Sequence, residues 1–437
     1  MFARYGCSDT SCREWLIRMS KWVGGSDEPT SLWRSAPFRR FWFGNAVSSF
    51  GDQITALALP FIAVTELHAT PFQAGVLTAS LWAPNLLALF IGTWVDAFGR
   101  QRALLVVANV AQAAALTVVP VAFITGALTM PLLYGSALML GLGGVLFDSA
   151  YPSFFVRLVR KDQYVSANSA LSTTIGVASV GGPAVAGGLV QVLGAPFALV
   201  ADAVSFVVSA VAVASARVGQ ASTEVSRPES YRQRLTLGVA YLSHHPILRA
   251  SLLASATMNL AALAIQALLV LYATRPLGLG AAEIGIALGI GAAGGLLGAV
   301  TAVPLANRIG SGTAITLGVL LNALPFLALP IADAAHLDGF LALCVAEVVS
   351  SWAIMQFDVN NNSLRAVVTQ DDMRGRVSGA YSTVNYGIRP IGAFAAGTAA
   401  SVLGAGAVIG VAACVGTIAV LWLIRSPIPQ VRHVADL

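Results

Sequence analysis

The chain is predicted to be an all-α integral membrane protein, with twelve transmembrane helices in two pseudo-symmetric six-helix bundles. Three observations predict it. Of 437 residues, 57% are hydrophobic and only 10% charged, whereas soluble domains carry about a quarter charged residues. The apolar residues gather into twelve runs, near 41–66, 73–95, 102–126, 129–153, 165–193, 196–217, 247–273, 282–305, 313–332, 338–361, 376–403 and 405–425. Each is long enough to cross a hydrocarbon core of about 30 Å at about 1.5 Å per residue. Third, the runs repeat. A shift of 210 positions lays Phe147–Gly194 on Phe357–Gly404 with 13 identities in 48, and it keeps Asp148/Asp358 and Asp162/Asp372 in register. Chance similarity between apolar helices would not hold acidic residues in place, so the pattern reads as parallel duplication of a six-helix unit.

Taken in order, residues 1–37 form a polar, basic arm expected on the cytoplasmic side. Ser11-Cys12-Arg13-Glu14 before an apolar cluster resembles a capping box, and both an interfacial helix anchored by Trp22 and a disordered tail stay open. The first apolar run begins near Phe41 after seven basic residues and is too long for a cleavable signal. The first bundle is expected over 38–217 and the second over 247–425. A polar linker at 218–246 separates them, with an amphipathic helix at Tyr231–Ser243, and a cytoplasmic tail spans 426–437.

Orientation follows from Lys and Arg. Placing the N-terminus inside puts 23 of 25 on the cytoplasmic face; Arg275 alone lies outside and Arg389 falls within a helix. Both termini are therefore expected in the cytoplasm of a multi-pass cytoplasmic (inner) membrane protein. The net charge of +5 sits in loops and the arm, as a topology determinant rather than a nucleic-acid patch. Cys7, Cys12, Cys344 and Cys414 suggest free thiols rather than a disulfide framework.

The segments are organised around a short charged gap, Gly92-Thr93-Trp94-Val95-Asp96-Ala97-Phe98-Gly99-Arg100-Gln101-Arg102, which reads G-x3-D-x2-G-R-x-R. Gly99 suits a left-handed turn, and Asp96, Arg100 and Arg102 offer charge-assisted hydrogen bonds where helices meet water. The stretch resembles the loop between the second and third helices of major facilitator superfamily transporters and matches that signature at every fixed position. The resemblance implies that this aspartate and these arginines engage neighbouring helix ends when the transporter faces outward. The expected partners are Asp148 for Arg100, and the N-terminus of the eleventh segment for Asp96. A purely topological role stays open beside this gating role. The second half keeps only a remnant, Asn307-Arg308-Ile309-Gly310, with neutral Asn307 in place of the aspartate.

In the fifth segment, Gly182-Pro183-Ala184-Val185-Ala186-Gly187-Gly188 resembles the glycine–proline motif of drug/proton antiporters, with Ala178 and Ala186 where that motif has glycines. Small residues beside a proline allow close helix approach and a bend, so generic tight packing stays open too. Phe38-Arg39-Arg40-Phe41-Trp42, Gly238–Arg249 and Arg374-Gly375-Arg376-Val377 together resemble the branch of bacterial siderophore exporters and macrolide efflux proteins.

Charges inside the membrane are costly and mark function. Asp52, about fourteen residues into the first segment, is the leading proton-coupling candidate, because a carboxylate removed from water holds a proton more readily. Glu347 and Arg389 lie near the middle of their segments and are expected either to pair or to meet a charged substrate; structural ion pairs are the alternative for all three. Asp202 reads as structural. Gly289-Ile290-Gly291-Ala292-Ala293-Gly294 matches a nucleotide-binding pattern only in letters, since no strand precedes it, and reads as close helix packing. No P-loop, metal-ligand spacing or cofactor motif stands out, and no enzyme activity is expected.

Polar or aromatic positions in apolar helices nominate Trp82, Asn85, Asn259, Gln266, Trp352, Gln356, Asn385 and Tyr386 as cavity-lining. The expectation is a monomeric secondary transporter exporting an amphipathic small molecule, such as a drug, a macrolide-like natural product or a siderophore, by proton antiport and alternating access. Such activity would confer multidrug resistance. Sodium coupling, metabolite uptake or uniport, and a non-transporting sensor are the alternatives.

Overall fold

The computed structural model describes residues 32–216, 231–371 and 373–432. The capping box at 11–14, Cys7, Cys12, most of the arm, the first part of the linker, Asp372, the side chain of Asp96 and the last five residues lie outside the described residues. Every regular element among the described residues is helical.

The first half comprises α1 (Ala36–Thr65), α2 (Pro71–Trp82), α3 (Ala88–Phe98), α4 (Gln101–Ile124), α5 (Met130–Leu158), α6 (Tyr164–Leu193) and α7 (Ala195–Ser215). The linker helix α8 (Tyr231–His244) follows, where the amphipathic helix was expected. The second half comprises α9 (Pro246–Thr274), α10 (Ala281–Ile309), α11 (Ser311–Ala323), α12 (Ala328–Ala334), α13 (Gly339–Val368), α14 (Arg374–Gly387), α15 (Arg389–Leu403), α16 (Ala405–Ile418) and α17 (Val420–Ile424).

By length and composition, 10 stretches among the described residues are long and apolar enough to cross a membrane. The other two expected segments are interrupted. The second breaks into a 3-10 turn at Ala83–Leu87, where Pro84 and the Leu81 carbonyl press on Gly141 of α5. The eleventh breaks at Ile388, just ahead of Pro390, whose ring removes one helical hydrogen bond and crowds the preceding turn.

Several long helices carry an exposed apolar face. On α4, Val107, Val110, Val118 and Val121 are exposed while Leu105, Ala108, Leu116 and Val119 are buried. An apolar belt of this kind has no place on a water-soluble surface, and it fits the requirement that a bilayer be met by helices.

The 210-residue repeat is written into the backbone. His68 and Gly278, Gly126 and His336, and Gly194 and Gly404 are left-handed pairs at that spacing. Thr70 and Gly280 cap α2 and α10, and Gln73 and Glu283 each accept from the cap's backbone N–H, at 2.8 and 2.7 Å. Gly99 (φ 69°) ends α3 in the left-handed turn expected of it. Packing repeats as well. α1 packs on α6 and α7 as α9 packs on α15 and α16, and α4 packs on α5 and α7 as α11 packs on α13 and α16.

The halves meet along α2–α15 and α6–α10. A Cβ on Gly75 would stand 2.6 Å from the Gly397 Cα, and one on Gly187 would stand 2.5 Å from the Ala281 carbonyl oxygen. Between α1 and the end of α9, Arg275 donates to the Val64 carbonyl at 3.4 Å. All these contacts lie toward the end of the bundle away from Leu32 and Arg432. At the other end α3 packs mainly on α5. Among the described residues, the close contacts between the halves thus gather at that end, while α3 packs within its own half at the end where the described chain begins and finishes.

A candidate substrate cavity in each half

Each half encloses a cavity lined by polar stripes at helical spacing. In the first half, α1 contributes Asn45, Ser48, Ser49, Asp52 and Gln53, at intervals of three and four residues that bring them onto one face. Gln112 of α4, Asp148 of α5 and Ser179 of α6 close a space of about 360 Å³. In the second half, α9 presents Ser255, Asn259 and Gln266, and α13 presents Asp358, Asn361, Asn362 and Arg365. Ser382, Asn385, Tyr386 and Arg389 follow on the broken eleventh segment, and the space is about 450 Å³. Trp82 reaches into it from the first half.

Most of the first lining recurs in the second. Apart from Asn109 and Phe206, every residue lining the first cavity has a counterpart 210 positions on that lines the second. Gln112 answers to Asn322 and Asp148 to Asp358, whereas Asp52 answers to Ala262 and Ser179 to Arg389. The frame is shared and the charges are not. No basic side chain is among those lining the first cavity, which carries two carboxylates; the second carries Asp358 with two guanidiniums.

Several expected site residues sit here. Asp52 and Asp148 share the first cavity, and Trp82, Asn259, Gln266, Asn385, Tyr386 and Arg389 share the second. Arg389 Nε donates to Asn259 Oδ1 at 2.8 Å, and its guanidinium carbon lies 4.5 Å from the Trp82 ring centre and 4.6 Å from that of Tyr386.

Others are placed differently. Trp352 and Gln356 face the α10–α13 seam: Trp352 Nε1 and Gln356 Nε2 both donate to Thr301 Oγ1 at 3.0 Å, and Gln356 Nε2 also donates to the Gly298 carbonyl at 2.9 Å. Asn85 is taken up by the α2–α3 break, donating to the Trp82 carbonyl at 3.2 Å. Glu347 lies against Gly291 of α10, so the expected Glu347–Arg389 pair is not formed. Asp148 lines the cavity, while Arg100 and Arg102 are exposed at the α3–α4 turn; the expected Asp148–Arg100 contact is absent in this arrangement. Gly92 faces Ser149 of α5, with 3.9 Å left for a Cβ.

The glycine-rich stretches serve close packing. Gly182 faces the Gln53 side chain of α1, Pro183 offers its carbonyl to Gly285, and Gly187 meets α10. Gly289 faces α6, while Gly291 and Gly294 face α13. Asp202 is fully buried, accepting from Thr55 and, at 2.7 Å, from Ser205. Gly238 of α8 lies on the Arg376 backbone of α14, so two of the sequence markers touch. Cys344 and Cys414 are free.

Comparison with known proteins places this geometry. A family model described as Major Facilitator Superfamily matches residues 41–393. The multidrug efflux pump Tap of Mycobacterium tuberculosis is 26% identical over 369 residues, covering 81% of this chain and 85% of that protein. Among solved structures, a bacterial homologue of the iron transporter ferroportin in an inward-facing state superposes with a TM-score of 0.70 at 18% identity, over 89% of this chain and 98% of the other. The nucleoside transporter NupG gives 0.71 at 13% identity, over 89% and 98%. At these identities the structures speak for the fold alone.

Proposed function

The chain belongs to the major facilitator superfamily, and on that footing we propose that it exports an amphipathic small molecule by proton antiport. In this reading it is a carrier and not an enzyme, and it acts as a monomer in the cytoplasmic membrane with both termini inside. The two interrupted segments count as crossings, giving twelve. The bundles span 38–217 and 247–425, joined by the 218–246 linker. Opening toward the termini is then the inward-facing state, and the α3–α4 hairpin with Asp96, Arg100 and Arg102 latches the outward-facing one.

The observation that carries the proposal is the pair of carboxylates, Asp52 and Asp148, in a cavity with no cation among its lining residues. Both side chains are exposed to that cavity and have no fixed cation beside them, so they are placed to carry protons. Alternating access then lets the proton exchange with each side in turn. The efflux direction draws support from the Tap relative.

Inverted membrane vesicles with an imposed pH gradient test this. Acid-inside vesicles should accumulate substrate, and Asp52→Asn should abolish the accumulation while leaving the protein folded. Accumulation that survives collapse of the pH gradient under a sodium gradient, or flux in the opposite direction, overturns the proposal.

A further inference from the structure

We infer that the second-half cavity is a binding site for an oxyanion, and that the exported molecule carries a carboxylate or similar group beside an aromatic or planar ring. The inference rests on the transporter reading and names the substrate class of that same cavity.

Two guanidiniums enter this cavity, and neither charge is duplicated: the counterpart of Arg389 is Ser179 and that of Arg365 is Phe155. Among the described residues, no carboxylate comes within ion-pairing distance of either. Asp358 lines the same cavity without closing a pair. A guanidinium inside a membrane protein is expensive unless its charge is met, and here aromatic faces, amides and the more distant Asp358 meet part of it.

That arrangement leaves the donors open. The Arg389 faces are covered by Trp82 and Tyr386, and Asn259 takes only Nε. Its two terminal nitrogens remain, in the planar fork that suits a carboxylate. Arg365 lies 3.7 Å over the Tyr381 ring centre and gives Nη2 to Asn362 Oδ1 at 2.5 Å, while its buried Nε has no acceptor. Tyr381 is itself fixed, its hydroxyl accepting from Asn361 at 3.1 Å. A buried donor without an acceptor is costly, and an oxyanion would supply what is missing. The rings of Trp82 and Tyr386 flank the same spot and give a planar ligand a stacking surface. At about 450 Å³ the cavity falls within the usual range for small-molecule sites.

The test uses the full chain purified in phosphatidylcholine nanodiscs, with equilibrium dialysis of 1-naphthaleneacetate against 1-naphthaleneacetamide, a pair that differs in charge and little in size. The acid should bind roughly ten- to a hundredfold more tightly. Arg389→Gln and Arg365→Gln should each remove most of that preference, Arg389→Lys should restore part of it, and exposed Arg308→Gln should keep all of it. Equal affinities, preference for 1-naphthylmethylammonium, or acid preference surviving both glutamine variants would overturn the site. So would abolition of acid binding by added phosphatidylglycerol, which would make a lipid headgroup the occupant. Because no gradient is present, loss of pH-driven flux with acid preference intact counts against proton coupling and not against this site.

Discussion

Asp148 and Asp358 stand 210 positions apart, and each lines the cavity of its own half. Their surroundings differ. Asp148 shares its cavity with Asp52 and no cation, whereas Asp358 shares its own with Arg365 and Arg389. Equivalent substitutions should therefore have unlike effects. Asp148→Asn is expected to move the pH profile of transport, while Asp358→Asn should change KM for the substrate and leave the profile in place. Transport assays across pH on both variants decide it; identical behaviour would contradict the asymmetry.

Asp202 tests the distinction between a structural and a working carboxylate. It ties α7 to α1 through Thr55 and sits against Gly51, where any side chain would collide with it. Asp202→Leu leaves the Thr55 and Ser205 hydroxyls without an acceptor and should cost about 1–3 kcal/mol. Asp202→Asn keeps an acceptor and should retain pH-driven transport. Thermal unfolding in detergent and vesicle flux read the two outcomes separately.

The α6–α10 seam depends on absent side chains. Gly285 meets the Pro183 carbonyl and the Gly187 backbone. Gly285→Leu overpacks this contact and should cost on the order of 1–3 kcal/mol. Since the seam closes only one end, the variant should also shift the population toward the form open at that end. Accessibility of a cysteine placed at Ala281, which is buried in this seam, to a membrane-impermeant thiol reagent should rise.

At the junction of α8 and α9, His245 is half-buried beside Tyr241, with rings 6.3 Å apart and Nδ1 without a partner. Burial pushes its imidazole below the usual value of 6.5. The sign follows from the neutral form being the one the fold accepts. The stability it contributes is present above the unfolded-state value and is lost as pH falls through and below it. His245→Gln should therefore flatten the fall in melting temperature between about pH 7.5 and about pH 5.5. An unchanged slope would contradict this.

Much of the fold was legible because lipid imposes simple rules. Long apolar runs, charged hairpins and glycine turns such as Gly99 follow from local chemistry. The broken second and eleventh segments were less so, since Pro84 interrupts its helix against Gly141, a neighbour invisible from one run alone. Trp352 and Gln356 illustrate the same limit: they are polar in an apolar helix, but Thr301 and Gly298 on α10 absorb them. The stripe Asn45, Ser48, Ser49, Asp52 and Gln53 did carry a signal in its spacing. Carrying the 210-residue shift onto it would have pointed to Ser255 and Asn259 as well.

Alternation between the two halves is the claim on which the rest depends. Paired spin labels in a cysteine-depleted background measure it directly, using Arg160→Cys with Gln370→Cys at one end and Ala127→Cys with Leu337→Cys at the other. On changing from about pH 8 to about pH 5, the first distance should shorten and the second lengthen together. Two distances that stay fixed, or that move in the same direction, would contradict it.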